Sequence, residues 1–169
     1  RVFAVFAVVL TAAQAQTKMH VAVHNLQAQG IEEASAVLIS DRLRSELFAT
    51  GAFTVLERGQ MEEILKEQGF QQAGCLSDAC VVEVGQLLGV GQMITGSIGK
   101  VGKTYTLNAR VIDVKTGQIT NSVNTDCKCP IDDVLSKSTK ELAGMLAAPI
   151  EQGTATGEQE PVPGVEAEA

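Results

Sequence analysis

The chain has few aromatic residues and no tryptophan. Its 169 residues include five Phe and one Tyr, while 45% of the residues are hydrophobic. A core built on large rings is therefore excluded. The core must consist mainly of Val, Ile, Leu and Ala, which suits close packing of helices on a sheet. At this length we expect a single domain of ordinary size.

The sequence also lacks a basic stretch. It contains 13 Lys and Arg against 20 Asp and Glu, and five of those acids lie in residues 151–169, which hold no base. Nucleic-acid binding depends mainly on basic side chains that neutralise phosphates. The composition therefore predicts no nucleic-acid partner. It also predicts that residues 151–169, which are rich in Glu, Gly, Pro, Thr and Ala, form a disordered acidic tail.

No hydrophobic run is long enough to span a bilayer as a helix. The longest run, residues 2–10, precedes a string of small residues with an Ala13-x-Ala15 cleavage pattern. This order is typical of a secretory signal peptide, which we assign to residues 1–15 and expect to be truncated at its start. No cysteine follows the run as a lipid acceptor, so we expect a periplasmic protein without stable membrane insertion.

The four cysteines are Cys75, Cys80, Cys127 and Cys129. The compartment beyond the inner membrane is oxidising, so disulfides are expected, and four thiols allow three connectivities. We favour a Cys75–Cys80 bond, because it would attach a loop to the start of a helix. Neither cysteine spacing matches the C-x2-C knuckle of a zinc site, so no metal is predicted.

The apolar pattern predicts an α/β (α+β) domain over residues 16–150. Its mixed sheet of about five strands would contain a three-strand antiparallel meander and would be packed by about four helices. Alternating residues predict strands at 19–25, 53–56, 93–101, 105–114 and 119–127. Helical spacing predicts helices after Gly30, after Gly59, from Ser77 and from Ile131.

No motif of a known catalytic or phosphate-binding site is complete. The sequence has no G-x-S-x-G elbow, and Gly102-Lys103-Thr104 has Ser97 where a P-loop requires glycine. His20 and His24, on one face of a predicted strand, would be about 13 Å apart, too far to share a metal ion, and we expect both to be partly exposed. No catalytic residue, cofactor or enzymatic activity is therefore predicted.

Neighbouring charged residues have structural explanations. We assign Glu32-Glu33, Glu62-Glu63 and Asp132-Asp133 to the first turns of helices, where carboxylates complement the helix dipole. Glu57-Arg58 at the end of the second strand leaves two interpretations open. It forms a local ion pair, or it contacts a partner protein.

Three linked motifs together resemble the CsgG family of curli-secretion components. In that family a strand ends in V-x-E-R before a helix, as in FTVLER at 53–58 followed by MEEIL at 61–65. A glycine-ended helix then leads into a strand, as in ITGSI at 94–98, and a hairpin follows, as in YTLNARVIDVKTG at 105–117. The resemblance covers roughly residues 19–148. It extends more loosely to LpoB and to the amino-terminal domain of TolB.

The resemblance implies a periplasmic, outer-membrane-associated domain that contacts other envelope proteins during secretion or assembly of envelope or surface material. A peptidoglycan-synthase activator of the LpoB kind and a curli-type secretion channel subunit are the alternatives. The channel inserts long hairpins, whereas the predicted turns here have only a few residues. The sequence is compatible with a homo-oligomer but does not specify one.

Overall fold

The computed structural model describes residues 18–70 and 77–148. The predicted signal peptide, Cys75 and the acidic tail lie outside these residues. The strands are β1 (Met19–Val23), β2 (Gln27–Gln29), β3 (Phe53–Val55), β4 (Gln92–Val101), β5 (Thr104–Asp113) and β6 (Ile119–Cys127). The helices are α1 (Glu33–Thr50), α2 (Arg58–Glu67), α3 (Asp78–Leu88), α4 (Ile131–Asp133) and α5 (Thr139–Ala147), with a π-helical segment (Val134–Ser138) between the last two.

The strands form one mixed sheet in the order β3-β1-β4-β5-β6. β1 lies between β3 and β4 and is parallel to both, whereas β4, β5 and β6 form an antiparallel meander. The predicted fold class and meander are therefore confirmed. The sheet has six strands because β2 also pairs with β4, beyond the point where β1 ends.

Helices cover the sheet on both sides and create two cores. On one side α1 and α5 bury the face of β1 that carries Val21 and Val23, together with Leu107 and its neighbours on β5. On the other side α2 and α3 bury Ala22, Met93 and Ile112. Because both faces of β1 are covered, its last three residues, Val21, Ala22 and Val23, are all apolar, as is usual for parallel strands.

Two helix ends follow the predicted signals, and one helix begins earlier than predicted. α1 ends at Gly51, whose φ of 73° is a left-handed conformation that glycine adopts without strain. Ser77 caps α3 by accepting a hydrogen bond from the backbone N–H of Cys80. α2 begins at Arg58, earlier than predicted, because the Glu57 side chain caps it. Gly59 therefore lies within the first turn, and Glu62-Glu63 lie beyond that turn rather than in it.

The second face of the sheet is only partly covered. α2 and α3 cover the part that carries Met93 and Ile112, while the rest of that face carries polar residues. These residues align across the strands, because Gln27 pairs with Ser97, Ser97 with Asn108, and Asn108 with Asn124. A polar sheet surface therefore continues from β2 to the outer strand β6.

Candidate interaction site

A groove lies where the parallel strands β1 and β3 reach their carboxyl ends. The connection after β1 leads to α1 on one face of the sheet, and the connection after β3 leads to α2 on the other. The groove has a volume of about 550 Å³, and α1 and the β3–α2 junction contribute Asp41, Arg44, Phe48, Leu56, Glu57 and Arg58.

Arg44 forms the buried floor of this site. Its side chain reaches across to the break between β1 and β2, where Nη2 donates to the Val23 carbonyl oxygen and to Asn25 Oδ1, each at 2.8 Å. Its Nη1 forms an ion pair with Asp41. Burial lowers the pKa of the Arg44 guanidinium, and the Asp41 charge opposes that shift.

The break between β1 and β2 is held by side chains of α1. The hydroxyl of Ser40 accepts a hydrogen bond from the Leu26 backbone N–H at 2.8 Å and donates to the Ala36 carbonyl oxygen at 2.7 Å. Together with Arg44, Ser40 thus satisfies backbone groups that leave the sheet ladder at this point. α1 therefore sets the backbone shape of the groove floor.

Arg58 lies at the rim of the groove. Its Nη1 donates to Asp41 Oδ2 at 3.0 Å, and its Nε donates to Glu62 Oε1 at 2.6 Å. The hydrogen bond to Glu62 is the main reason that the pKa of Arg58 is raised. Asp41 thus bridges two guanidinium groups, Arg44 beneath it and Arg58 above.

Glu57 does not pair with Arg58. Its carboxylate caps α2 by accepting a hydrogen bond from the Gln60 backbone N–H at 3.1 Å. Hydrogen bonds from the backbone N–H groups of Gly59 and Gln60 lower the pKa of this exposed carboxyl. Within the described residues, the ion pairs of Arg58 are with Asp41 and Glu62, so the local-pair interpretation does not describe this junction.

His24 lies beside this network and is buried, contrary to the prediction of partial exposure. It is 8% exposed and lies at the break between β1 and β2, whereas His20 remains exposed on the strand. Its Nδ1 lies 3.1 Å from the Asn25 carbonyl oxygen, and its Nε2 has no hydrogen-bond partner within the described residues. Burial lowers the pKa of His24.

An exposed aromatic ring borders the charged part of the groove. Phe48, on the outer side of α1, is 71% exposed, and Leu38 on the same helix is also exposed. Ser45 lies between them along α1 and also lines the groove. The site therefore combines an accessible ring with charges that internal hydrogen bonds hold in place.

Sequence reasoning selected only part of this site. It named Glu57 and Arg58 as partner-contact candidates, but it did not single out Asp41 or Arg44. Arg44 is in fact 7% exposed. Its spacing from Ser40 and Leu47, four before and three after, lies on one helix face and was the available signal.

The remaining candidate features are the cysteines, a metal site and a membrane-spanning helix. Cys127 and Cys129 form a disulfide with their Cα atoms 5.3 Å apart, and Cys80 is also disulfide-bonded. The Cys75–Cys80 bond stays a prediction, since Cys75 lies outside the described residues. In residues 18–70 and 77–148, no three His, Cys, Asp or Glu side chains come together as metal ligands, and no helix has the length and apolar character to cross a bilayer.

Comparisons with known proteins point to one family. A family model described as curli production assembly/transport component CsgG matches residues 3–104. A comparison with curated proteins found no match.

Solved structures from several organisms share this fold. The LpoB C-terminal domain from Salmonella enterica is 16% identical, with a TM-score of 0.57 over 70% of this chain and 88% of that one. Lipoprotein GNA1162 from Neisseria meningitidis is 14% identical, with a TM-score of 0.55 over 76% of this chain and 93% of that one. A PelC dodecamer from Paraburkholderia phytofirmans is 14% identical, with a TM-score of 0.52 over 76% and 87%. At these identities the similarity concerns the fold.

Proposed function

The chain belongs to the CsgG family, whose model matches residues 3–104, and from that membership we propose a non-catalytic, envelope-associated protein that acts through protein–protein contacts. The protein is located in the periplasm, at or near the outer membrane. It functions in the secretion or assembly of envelope or surface material. The groove at the carboxyl ends of β1 and β3 is its contact site.

The observation that carries this proposal is the combination of Phe48 and Arg58 at one accessible groove. Aromatic and arginine side chains supply much of the binding energy at protein interfaces. Phe48 is 71% exposed, and nothing in the described fold uses its ring as core. Arg58 is held by Asp41 and Glu62, so it is already fixed in position before a partner arrives.

The chemistry of the groove defines the partner segment. An apolar side chain would cover Phe48, while polar groups flanking it would meet the alternating charges of Glu57, Arg58 and Asp41. Complementary charges around an apolar anchor give orientation and specificity. An envelope protein with an exposed loop of this composition is the expected partner.

A photo-crosslinking experiment in a Gram-negative host tests the contact site. A benzophenone amino acid replaces Phe48 in the full chain, and the matched control places it at Val101, an 83% exposed residue at the β4–β5 hairpin. We expect a discrete adduct with an envelope protein from position 48 only. Adding Arg58→Ala should remove that adduct without changing the circular dichroism spectrum. Identical adducts from both positions, or none, would contradict the assignment.

Cell fractionation separates this proposal from the two alternatives. A protein released with the periplasm without detergent, and sized as a small particle by light scattering, supports a contact module. A ring that requires detergent and sediments with washed outer membranes supports the channel subunit instead. Stimulation of a purified peptidoglycan synthase, abolished by Phe48→Ala, would identify the activator.

Self-association has a precedent in the same fold. PelC from Paraburkholderia phytofirmans is a dodecamer and shares the fold at a TM-score of 0.52. This supports a homo-oligomer as one partner class for the chain, without specifying its symmetry or its surface.

A further inference from the structure

The outer strand β6 has an open hydrogen-bonding edge. β6 is nine residues long and, within the described part of the chain, pairs only with β5. Its sequence, ITNSVNTDC, contains neither lysine nor proline, the residues that commonly prevent edge strands from pairing. The row of backbone N–H and C=O groups along this edge is therefore available to another strand.

We propose that β6 pairs antiparallel with β6 of a second copy, which joins the two sheets into one across a two-fold axis at Val123. This register sets Ser122 opposite Asn124 of the second copy, within the regular stretch of β6 that follows the bulge at Thr120. Residues directly opposite each other in an antiparallel pair share one face of the sheet. This inference concerns a surface distinct from the groove and does not depend on the proposed function.

The position of the one charged residue in β6 favours this arrangement over a parallel pair. Asp126 lies one residue from the end of the strand. In the antiparallel pair the two Asp126 carboxylates would be about 20 Å apart along the sheet, whereas in a parallel in-register pair they would be about 5 Å apart. Like charges directly opposite each other destabilise strand pairing.

The other edge of the sheet argues for two copies rather than a ring. β3 at that edge has only three residues, Phe53–Val55. Head-to-tail pairing of β6 with β3 would therefore leave most of β6 uncovered, whereas two copies of β6 match each other in length. A self-complementary contact of this kind closes after two copies.

The helix layer tolerates the contact. α5 packs over β5 and β6, and its Glu141 Oε2 accepts a hydrogen bond from Thr125 Oγ1 at 3.3 Å. With neighbouring strands about 5 Å apart, the two α5 axes would lie about 10 Å apart, close to an ordinary helix–helix distance. The two helices would then pack against each other instead of colliding.

The chain's own C-terminal residues suit this edge poorly. Ala148 lines the same groove as Thr120 and Asn121, so the residues that follow it begin near the start of β6. Residues 149–169, however, contain three Pro, three Gly and five Glu. Proline cannot donate to a strand ladder, and glycine weakens it. A second copy of β6 is the better occupant.

Sedimentation equilibrium of the full chain tests the proposal with a charge-reversal series. We expect the unchanged protein to be a monomer–dimer system. The two double variants are Ser122→Lys/Asn124→Lys and Ser122→Glu/Asn124→Glu. Each variant places like charges opposite each other at two positions of the paired strands, so each should weaken dimerisation by at least about tenfold. An equimolar mixture of the two variants should recover the dimer, because Lys then faces Glu.

The control is Thr106→Lys/Asn108→Lys, which places the same charges on the same face of the sheet but on β5, one strand away from the edge. It should leave the dimer unchanged. The proposal is overturned by a chain that stays monomeric at all concentrations, or by an assembly larger than a dimer that the β6 variants do not affect. It is also overturned if the β5 control, but not the β6 pair, disrupts association.

Discussion

Arg44 connects three parts of the chain that are remote in sequence. It binds the end of β1 through the Val23 carbonyl, the following loop through Asn25, and the groove through Asp41. The contact with the Val23 carbonyl oxygen replaces a backbone hydrogen bond that a neighbouring strand would have made. The position of α1 on the sheet therefore depends on a polar contact as well as on its apolar face.

Replacing Arg44 by methionine should lower the free energy of unfolding by about 2–3 kcal/mol. The buried Val23 carbonyl and the Asn25 side chain would lose charged donors, and unsatisfied buried groups are costly. The control is Arg42→Met on the same helix, whose side chain is 47% exposed and pairs with Glu46. That change should cost less than about 0.5 kcal/mol. Urea titration measures both, and equal losses would contradict the role given to Arg44.

The burial of His24 predicts that the protein loses stability in mild acid. Because burial lowers the pKa of His24 below its ordinary 6.5, the unfolded chain binds a proton before the folded chain does. The free energy of unfolding should therefore fall as the pH drops below about 6.5, by at most about 1.4 kcal/mol per pH unit, until the folded-state pKa is reached.

Urea titrations between pH 8 and pH 5 provide the measurement. His24→Gln should flatten the slope in this window, and His20→Gln, which changes an exposed residue of the same strand, should retain it. The positive charge of Arg44 also lowers the pKa of His24. The pKa values of Glu57 and Asp113 are lowered as well, so these carboxyls titrate below this pH window. A slope that survives in His24→Gln would assign the effect to another group.

Among the elements, α3 packs closely on the sheet through a glycine. A Cβ atom at Gly85 would lie 2.5 Å from Val114 Cγ2 and 2.8 Å from Met93 Cγ. Such distances are shorter than any ordinary contact, so α3 can pack this closely only without a side chain at position 85. The thickness of the core beneath α2 and α3 therefore depends on Gly85.

Two glycine-to-alanine substitutions should have opposite effects. Gly85→Ala should destabilise the protein by about 1–2 kcal/mol, because overpacking outweighs the gain in helix propensity. Gly144→Ala in α5 meets nothing within 4 Å and should stabilise it by about 0.5–1 kcal/mol. Thermal melts at low protein concentration compare the two. Destabilisation by both would mean that α5 also packs closely at position 144.

Elements with a strong apolar period could be predicted, and those held by polar contacts could not. α1, α3 and the meander follow from repeated apolar residues and glycine or serine end signals. β2 has the sequence QAQ and forms only because β4 offers its edge beside it. The π-helical segment, Val134–Ser138, likewise has no sequence signal that we identified.

The same contrast explains the site. Glu57 and Arg58 were predicted from a local motif, but Asp41 and Arg44 join them from 13 to 17 residues earlier in the chain. Such contacts depend on how α1 crosses the sheet, which no local pattern specifies.

At the scale of the whole molecule, the protection of backbone amides from hydrogen exchange should decrease from the centre of the sheet towards its edges. β1 and β4 are each paired on both sides and covered by helices, whereas β3 and β6 are edge strands. In hydrogen exchange at low protein concentration, amides of β1 and β4 should exchange slowest and those of β3 and β6 earlier. Uniform protection across all strands would contradict this order.

The two ends of the described domain lie side by side. Lys18 before β1 and Ala148 after α5 line one and the same groove, at the end of the sheet opposite the carboxyl ends of β1 and β3. The order in which the elements follow one another along the chain is therefore not essential to their packing. A circular permutant that joins Ala148 to Lys18 by a short flexible linker, and begins at the exposed turn residue Lys103, should adopt the same architecture.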